Sequence, residues 1–547
     1  MKKQNKNDNA ANRKSYVGEI YNIGEKQIKK TILDSLKPEW ANLHREGYIH
    51  IHDLDAYGLT YNCLTFDILN AFPYSKFQGL TEVEKIISTF EFIKELIAKM
   101  GNEQSGGMAF ANFDNDFATI FAQMGVEFEK NAGLFSASIS YYVTFNIGLA
   151  DNEFARFLAS TLIDEFYKTG ELVYKPNIVF KIHKGISRNN GDANFDLLEK
   201  ALLCTAKKMI PTYLLCDCEA DRAVEPSKLS IMGCRTRVVD DLFGKQGAIG
   251  RGNIDNISIN LPRLALESVR DSKGCDISKR YEILKEKWIH VAEQTKDILL
   301  DRFEKTCQSD KDLFPTNQEC KLWCEDFSSN DLKDIFKHGT LSIGFIGLTE
   351  TIEILTGKKY WKDDDAYNLA LNFVRFMREY VDSQKNKYHL NFSLLATSGE
   401  LISGRFVDID KKLFDCDVLK KDYYTNSFHV DVDSKFPAYR KIQYEGPFHI
   451  YTNGGCITYV ELAEAPLGNA VGLDELIEIA TNSGVHYLGF NFPKDVCADC
   501  GATGTFDACP ECGSHNITRI RRVSGYLEIQ DFFTSGKLKE SQNRKEN

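Results

Sequence analysis

No stretch of this 547-residue chain is apolar for anything near the ~18 residues that a membrane-spanning helix requires. The basic opening MKKQNKNDNAANRK is followed by no apolar core, which argues against a secretory leader and predicts a disordered tail over residues 1–14. Positive charge is in deficit too. The 67 Lys and Arg against 78 Asp and Glu leave a formal net charge of −11, which disfavours direct nucleic-acid binding. That sum leaves room for a small anionic substrate, because a pocket can be cationic on an acidic protein. Internal repeats are missing, and low complexity is confined to the polar ends. These absences predict a cytoplasmic globular protein with no membrane partner.

What is present fits an enzyme. Apolar residues make up 43% and charged residues 27%, and the length suits one large catalytic domain with appendages or two to three ordinary domains. Fifteen cysteines are many for a chain without a secretory signal. Disulfides are not expected in a reducing compartment, so the count points to metal binding and to thiol or radical chemistry. The segment EVEKIISTFEFIKELIAKM carries Val83, Ile86, Ile87, Phe90, Ile93 and Ile97 at helical spacing. The segment YEILKEKWIHVAEQTKDILL repeats the pattern through Leu284, Trp288, Val291, Thr295 and Ile298. Strand-like runs (YIHIHDL, PNIVFKI, ISINL, ITYVEL) alternate with such helices, which predicts a large α/β domain over 15–490. Periodicity does not say whether its sheet is open or closed.

After Phe492 the texture becomes rich in cysteine and glycine. Cys497-x-x-Cys500, eight residues, then Cys509-x-x-Cys512 is the strongest local signal in the chain. Each C-x-x-C turn sets two thiolates about one tetrahedral edge apart, and two turns complete a closed shell of four cysteines. With no open ligand position the metal is structural and stands in for a core that a module of residues 491–516 is too small to build. Zinc is the preferred ion, with an iron centre or redox dithiols as the alternatives; His515, just beyond, reads as a surface histidine.

The segment 517–547 contains RRVSGYLEI. In isolation Ser524-Gly525 marks a turn, where glycine supplies positive φ. A second reading is chemical: a radical at a glycine Cα delocalises into both flanking peptides and needs a planar carbon that no side chain crowds. Arg522-Val523-Ser524-Gly525-Tyr526 resembles the C-terminal motif of glycyl radical enzymes. With the four-cysteine knuckle upstream, it resembles the anaerobic (class III) ribonucleoside-triphosphate reductases. GYIHIHDLD (47–55), MGCRTRV (232–238), GRGN (250–253), SINLPRLAL (258–266), NFSLLAT (391–397), SGRF (403–406) and YYTNSFHV (423–430) resemble the same family, so the likeness runs from about residue 15 to the end.

The resemblance implies a ten-stranded α/β barrel, reduction of ribonucleoside triphosphates to deoxyribonucleotides, and a glycyl radical stored on Gly525. It implies that Cys234 becomes a thiyl radical and takes the 3′ hydrogen of the ribose. Cys63 would assist on the opposite face, Glu400 would serve proton transfer, and Asn253 or Asn260 would orient formate or substrate hydroxyls. It also implies an activase with an iron–sulfur cluster that cleaves S-adenosylmethionine, a homodimer, effector nucleotides, and either formate, the preferred choice, or a small redox protein as reductant. Arg235, Arg237, Arg251 and Arg263 are expected to line a triphosphate site, or else to form a solvated face. His50 and His52 read as structural or hydrogen-bonding groups rather than metal ligands.

Departures from the family pattern are few. Thr397-Ser398-Gly399-Glu400 stands where many relatives have T-P-A-E, a change expected to alter only a turn. Gly454-Gly455-Cys456 stands where Gly-Gly-His is common. The N-terminal ATP-binding cone of many members is not expected, since the core begins almost at once. Two rival readings remain: another glycyl radical enzyme of lyase or dehydratase type, and a non-enzymatic zinc-ribbon protein. The acyl-transferring lyases use two adjacent cysteines, and this chain has no Cys-Cys pair.

Overall fold

The computed structural model describes residues 16–127, 131, 143–244, 246–327 and 331–547, so the expected tail over 1–14 lies outside the described residues. Both segments read as helices are helices. Glu82–Met100 starts at a capping box, with Glu84 N–H donating to Thr81 Oγ1 and Thr81 N–H donating to the Glu84 carboxylate. Ile86, Ile93 and Ile97 are buried, whereas Val83 and Ile87 of the same pattern face outward. Ile277–Cys307 buries all five positions from Leu284 to Ile298. Among the described residues no helix is long and apolar enough to cross a membrane.

The strands are β1 (Ile49–Ile51), β2 (Cys63–Phe66), β3 (Met108–Phe110), β4 (Val143–Ile147), β5 (Asn177–Ile182), β6 (Thr212–Leu215), β7 (Arg251–Asn260), β8 (Thr340–Ile346), β9 (Asn391–Ala396), β10 (Thr458–Glu461) and β11 (Tyr487–Asn491). Their order is β10-β11-β6-β5-β4-β3-β2-β7-β8-β9, with β1 paired beside β2 on β7. β2 to β6 run parallel to one another, as do β7, β8 and β9, and as do β10 and β11. The two halves meet antiparallel at β2–β7 and at β6–β11. A parallel bridge from Leu395 to Gly455 joins β9 to the approach of β10, closing the ten strands into a barrel. β4 and β8 are buried at every position, as strands covered on both faces must be.

A second sheet, β13-β12-β14-β15, is formed by β12 (Lys494–Cys497), β13 (Thr503–Gly504), β14 (Ile517–Arg522) and β15 (Leu527–Ile529). The cysteine module and the Gly525 segment, read as separate units from sequence, therefore share one sheet. Four register pairs from Lys494–Ile520 to Cys497–Ile517 tie the knuckle strand to the strand that leads into Gly525.

Candidate active site

Cys234 sits at the tip of a narrow hairpin. Met232 and Thr236 exchange backbone hydrogen bonds of 3.1 Å, and Gly233 turns the chain at φ +54°. The hairpin is anchored from beneath by Asn146 of β4, whose side-chain amide accepts from Ile231 N–H at 3.0 Å and donates to Ile231 C=O at 3.2 Å. Gly455 lets it approach the β10 side: an added Cβ there would lie 2.1 Å from Arg235 C=O. Arg235 fixes the tip laterally by donating to Ala396 C=O, Ser427 Oγ and Tyr459 Oη.

Gly525 lies in the turn between β14 and β15, closed by Val523 N–H donating to Tyr526 C=O at 3.0 Å. Its φ is outside the left-handed region, so backbone freedom is not what this glycine supplies. Close approach is. A Cβ at Gly525 would lie 1.5 Å from the Cys234 carbonyl oxygen and 2.4 Å from Cys234 Cα. Arg522, fully buried, braces the turn through Asn491 Oδ1 at 2.6 Å, Gly525 C=O at 3.1 Å and Met209 C=O.

Cys63 and Cys234 open onto one small cleft. Asn62, Asn256, Ser398 and Glu400 share its lining. Burial pushes the thiols of Cys63 and Cys234 above their ordinary range, although Arg235 and Ser398 pull that of Cys234 the other way. Both sulfurs therefore keep their hydrogens at neutral pH, the form that donates a hydrogen atom rather than attacks as a thiolate. Cys63 Sγ is 2.6 Å from Asn62 Oδ1 and accepts from Gly107 N–H at 3.3 Å. Glu400 accepts from Ser524 Oγ at 2.9 Å and Tyr526 Oη at 3.0 Å, so it grips both neighbours of Gly525.

The sequence matches the family described as "Anaerobic ribonucleoside-triphosphate reductase" over residues 8–546. The chain belongs to that family. It is 30% identical to the Escherichia coli K12 anaerobic ribonucleoside-triphosphate reductase, over 92% of this chain and 77% of that one. It is 26% identical to the phage T4 enzyme of the same name, over 94% and 93%. Among solved structures, the Thermotoga maritima anaerobic ribonucleotide reductase in complex with dATP and CTP superimposes with TM-score 0.67 at 16% identity, covering 94% and 88%. The lyase, dehydratase and zinc-ribbon alternatives are thereby set aside in favour of an oxidoreductase.

In this reductase three of the four arginines expected at a triphosphate are engaged elsewhere. Arg237 pairs with buried Asp221 at 2.6 Å, and Arg263 with Asp410 at 2.6 Å and Glu267 at 3.1 Å. Arg251 spends its guanidinium on the carbonyls of His338, Val239, Gly247 and Asp240. Only Arg235 reaches the cleft, and none of the four forms a solvated face. Asn253 is backbone-adjacent to Cys63, but its amide donates to Thr340 and Ser342 of β8, away from the cleft. Asn256, past a register shift between Asn253 and Asp255, lines the cleft instead. Asn260 caps the helix Leu261–Asp271 and binds Gly47 C=O and Asp410. His52 is hydrogen-bonded to Ser258 Oγ at 2.8 Å, and His52 Nε2 has no place in a metal cluster among the described residues.

Sequence reasoning underrated one departure. Ser398 Oγ is 3.3 Å from Cys234 Sγ, so that substitution changes the immediate surroundings of the thiol and not just a turn. Cys456 is buried with Sγ 3.1 Å from His449 Nδ1. Glu350 accepts from Thr425 N–H and Oγ1, and the next residue, Asn426, accepts from Gly399 N–H beside Ser398. Burial, then the charge of Asp431, raises the Glu350 carboxyl from 4.5 to about 7. Because the folded protein holds that proton and the unfolded chain does not, stability falls as pH rises from about 4.5 to about 7, and above that window the loss is complete and constant. Glu350→Gln is expected to match wild type in thermal unfolding at pH 4.5 and to unfold at higher temperature than wild type at pH 8. The upper bound of the gain is roughly 3 kcal/mol, from ~1.4 kcal/mol per pKa unit.

Cys497, Cys500, Cys509 and Cys512 bring their sulfurs within 4.8 Å of one another, with 3.6 Å between Cys497 and Cys512 and 3.5 Å between Cys500 and Cys509. A tetrahedron with ~2.3 Å zinc–sulfur bonds has edges of about 3.8 Å, so the four thiols fit a tetrahedral all-cysteine metal site. Each knuckle closes with a glycine at positive φ, Gly501 and Gly513. His515 is exposed and lies outside the cluster.

Proposed function

We propose that this chain reduces ribonucleoside triphosphates to 2′-deoxyribonucleotides by storing a radical on Gly525 and spending it through Cys234. The observation that carries this reading is the contact of Gly525 with the backbone of Cys234, whose thiol shares a cleft with Cys63. Gly525 in its radical form takes the hydrogen of Cys234 S–H; the resulting thiyl takes the 3′ hydrogen of the ribose. Cys63, on the other side of the cleft, gives a hydrogen toward C2′ as the 2′ hydroxyl leaves as water. The protonated thiols of buried Cys63 and partly buried Cys234 support hydrogen-atom transfer in both directions. Zinc held by Cys497, Cys500, Cys509 and Cys512 would be structural, keeping β12 paired with β14 so that Gly525 is presented in register. Installation of the radical requires a separate activase with an iron–sulfur cluster that cleaves S-adenosylmethionine. A homodimer and effector nucleotides belong to the same proposal, and the T. maritima relative with dATP in its specificity site supports the latter. A reducing cytoplasm suits fifteen cysteines that are all free of disulfides.

Formate is the proposed reductant: formate, a proton and the ribonucleotide give carbon dioxide, the deoxyribonucleotide and water. Anaerobic turnover with carbon-labelled formate is expected to release labelled carbon dioxide in step with deoxyribonucleotide. Deoxyribonucleotide without labelled carbon dioxide would assign the electrons to a redox protein, and absence of both from activated enzyme would overturn the reading. The metal role has its own test. Metal analysis should find one zinc ion per chain, and Cys509→Ser should lower both the zinc content and the yield of radical while leaving the helical content of the barrel unchanged.

A further inference from the structure

Glu400 stands where the barrel receives the C-terminal segment. One carboxylate oxygen accepts from Ser524 Oγ and the other from Tyr526 Oη, the residues on either side of Gly525. Its backbone carbonyl accepts from Thr534 Oγ1 at 2.8 Å, and Thr534 caps the terminal helix Ser535–Asn543. That helix packs on Leu401–Asp410, which begins directly after Glu400. The contact is glycine against glycine: a Cβ on Gly536 would lie 2.5 Å from Gly404 Cα. Ser524, Tyr526 and Glu400 are all buried, so the two hydroxyls share one acceptor group away from bulk water. Each hydroxyl donates to a different oxygen of the carboxylate, whereas a carboxamide would present an N–H donor in place of one of those two acceptors and lose the charge assistance. We propose that Glu400 is a positioning residue, the latch that seats the Gly525 turn against Cys234 and sets how readily the turn leaves the barrel for an activating partner. This rests on the radical reading of Gly525. It gives Glu400 a task beyond proton transfer to the substrate, since both oxygens accept from the turn.

The test compares full-length Glu400→Gln, Ser524→Ala and Tyr526→Phe with wild type, under anaerobiosis. Hydrogen–deuterium exchange of the backbone over residues 522–527, read by mass spectrometry before activation, should accelerate about tenfold in each variant, equivalent to ~1.4 kcal/mol. Exchange in β4 and β8 should stay at the wild-type rate, which controls for misfolding; if Glu400→Gln fails that control, the two hydroxyl variants decide. After addition of an activase, the glycyl signal should rise faster in the variants and decay faster on exposure to oxygen, with fewer deoxyribonucleotides formed per radical. Wild-type exchange over 522–527 in all three variants, with turnover lost in Glu400→Gln alone, would overturn the latch and return Glu400 to substrate chemistry. Failure of the radical reading looks different: wild type would give no glycyl signal with an activase proven on another target, while the exchange comparison would still decide the latch.

Discussion

Gly525→Ala is expected to yield neither radical nor deoxyribonucleotide. Two independent causes converge on that residue. The added methyl would meet the Cys234 carbonyl at 1.5 Å, a contact that the turn must relieve by backing out of the barrel. A side chain would also crowd the planar carbon over which the unpaired electron of the proposed radical is spread. Turnover should drop by at least about 10³-fold, some 4 kcal/mol of barrier. The two causes separate by isotope. Wild-type protein grown on glycine deuterated at Cα should keep its activity, but the doublet from its single α-hydrogen should collapse to a near-singlet in electron paramagnetic resonance. An unchanged doublet would place the radical elsewhere and leave Gly525 as a close-packing residue only.

That close packing is also where the sequence was least able to speak. Gly525 can be read as a turn from its neighbours, yet its φ is ordinary and its smallness serves a contact with a residue 291 positions earlier in the chain. Features carried by short spacing were legible: the two C-x-x-C knuckles, the RVSGY turn, MGCRTRV, and the helices Glu82–Met100 and Ile277–Cys307. Each depends on atoms supplied within a few residues. Closure of the barrel was not legible from periodicity, because it depends on Leu395 meeting Gly455 across a long connection. It came only through resemblance.

The arginines show a different limit. Four of them around Cys234 suggested an anion site, because charge is visible in a sequence and its partner is not. Asp221 and Asp410 neutralise Arg237 and Arg263 in the interior, where an unpaired guanidinium would be costly. Both guanidinium groups are thus spent on buried carboxylates rather than left to hold an anion. Asn253 fails for a geometric reason: the shift in register on β7 hands the cleft to Asn256, and no local signal marks such a shift. Ser398 was visible as a departure from its relatives, but its 3.3 Å contact with Cys234 is a tertiary fact.

Cys234→Ser should separate storage of the radical from its use. The hydroxyl is close in size to the thiol and can keep the contact with Ser398, so the hairpin and the Gly525 turn should seat as in wild type. In the proposed scheme installation on Gly525 needs only the turn and the activase, so the glycyl signal should form in near-normal amount. Transfer is another matter. An O–H bond is much stronger than an S–H bond, and a glycyl radical does not take its hydrogen. Deoxyribonucleotide formation should therefore fall by at least about 10³-fold while the radical persists. Because Cys63 lies across the same cleft, Cys63→Ser offers the matching control: the ribose should still be attacked at C3′, so substrate should quench the radical without completing reduction. Turnover by Cys234→Ser above a thousandth of wild type would remove Cys234 from the path of the hydrogen atom. Loss of the glycyl signal together with turnover would instead show that the thiol is needed to seat the turn, and would move the role of Cys234 from chemistry to packing.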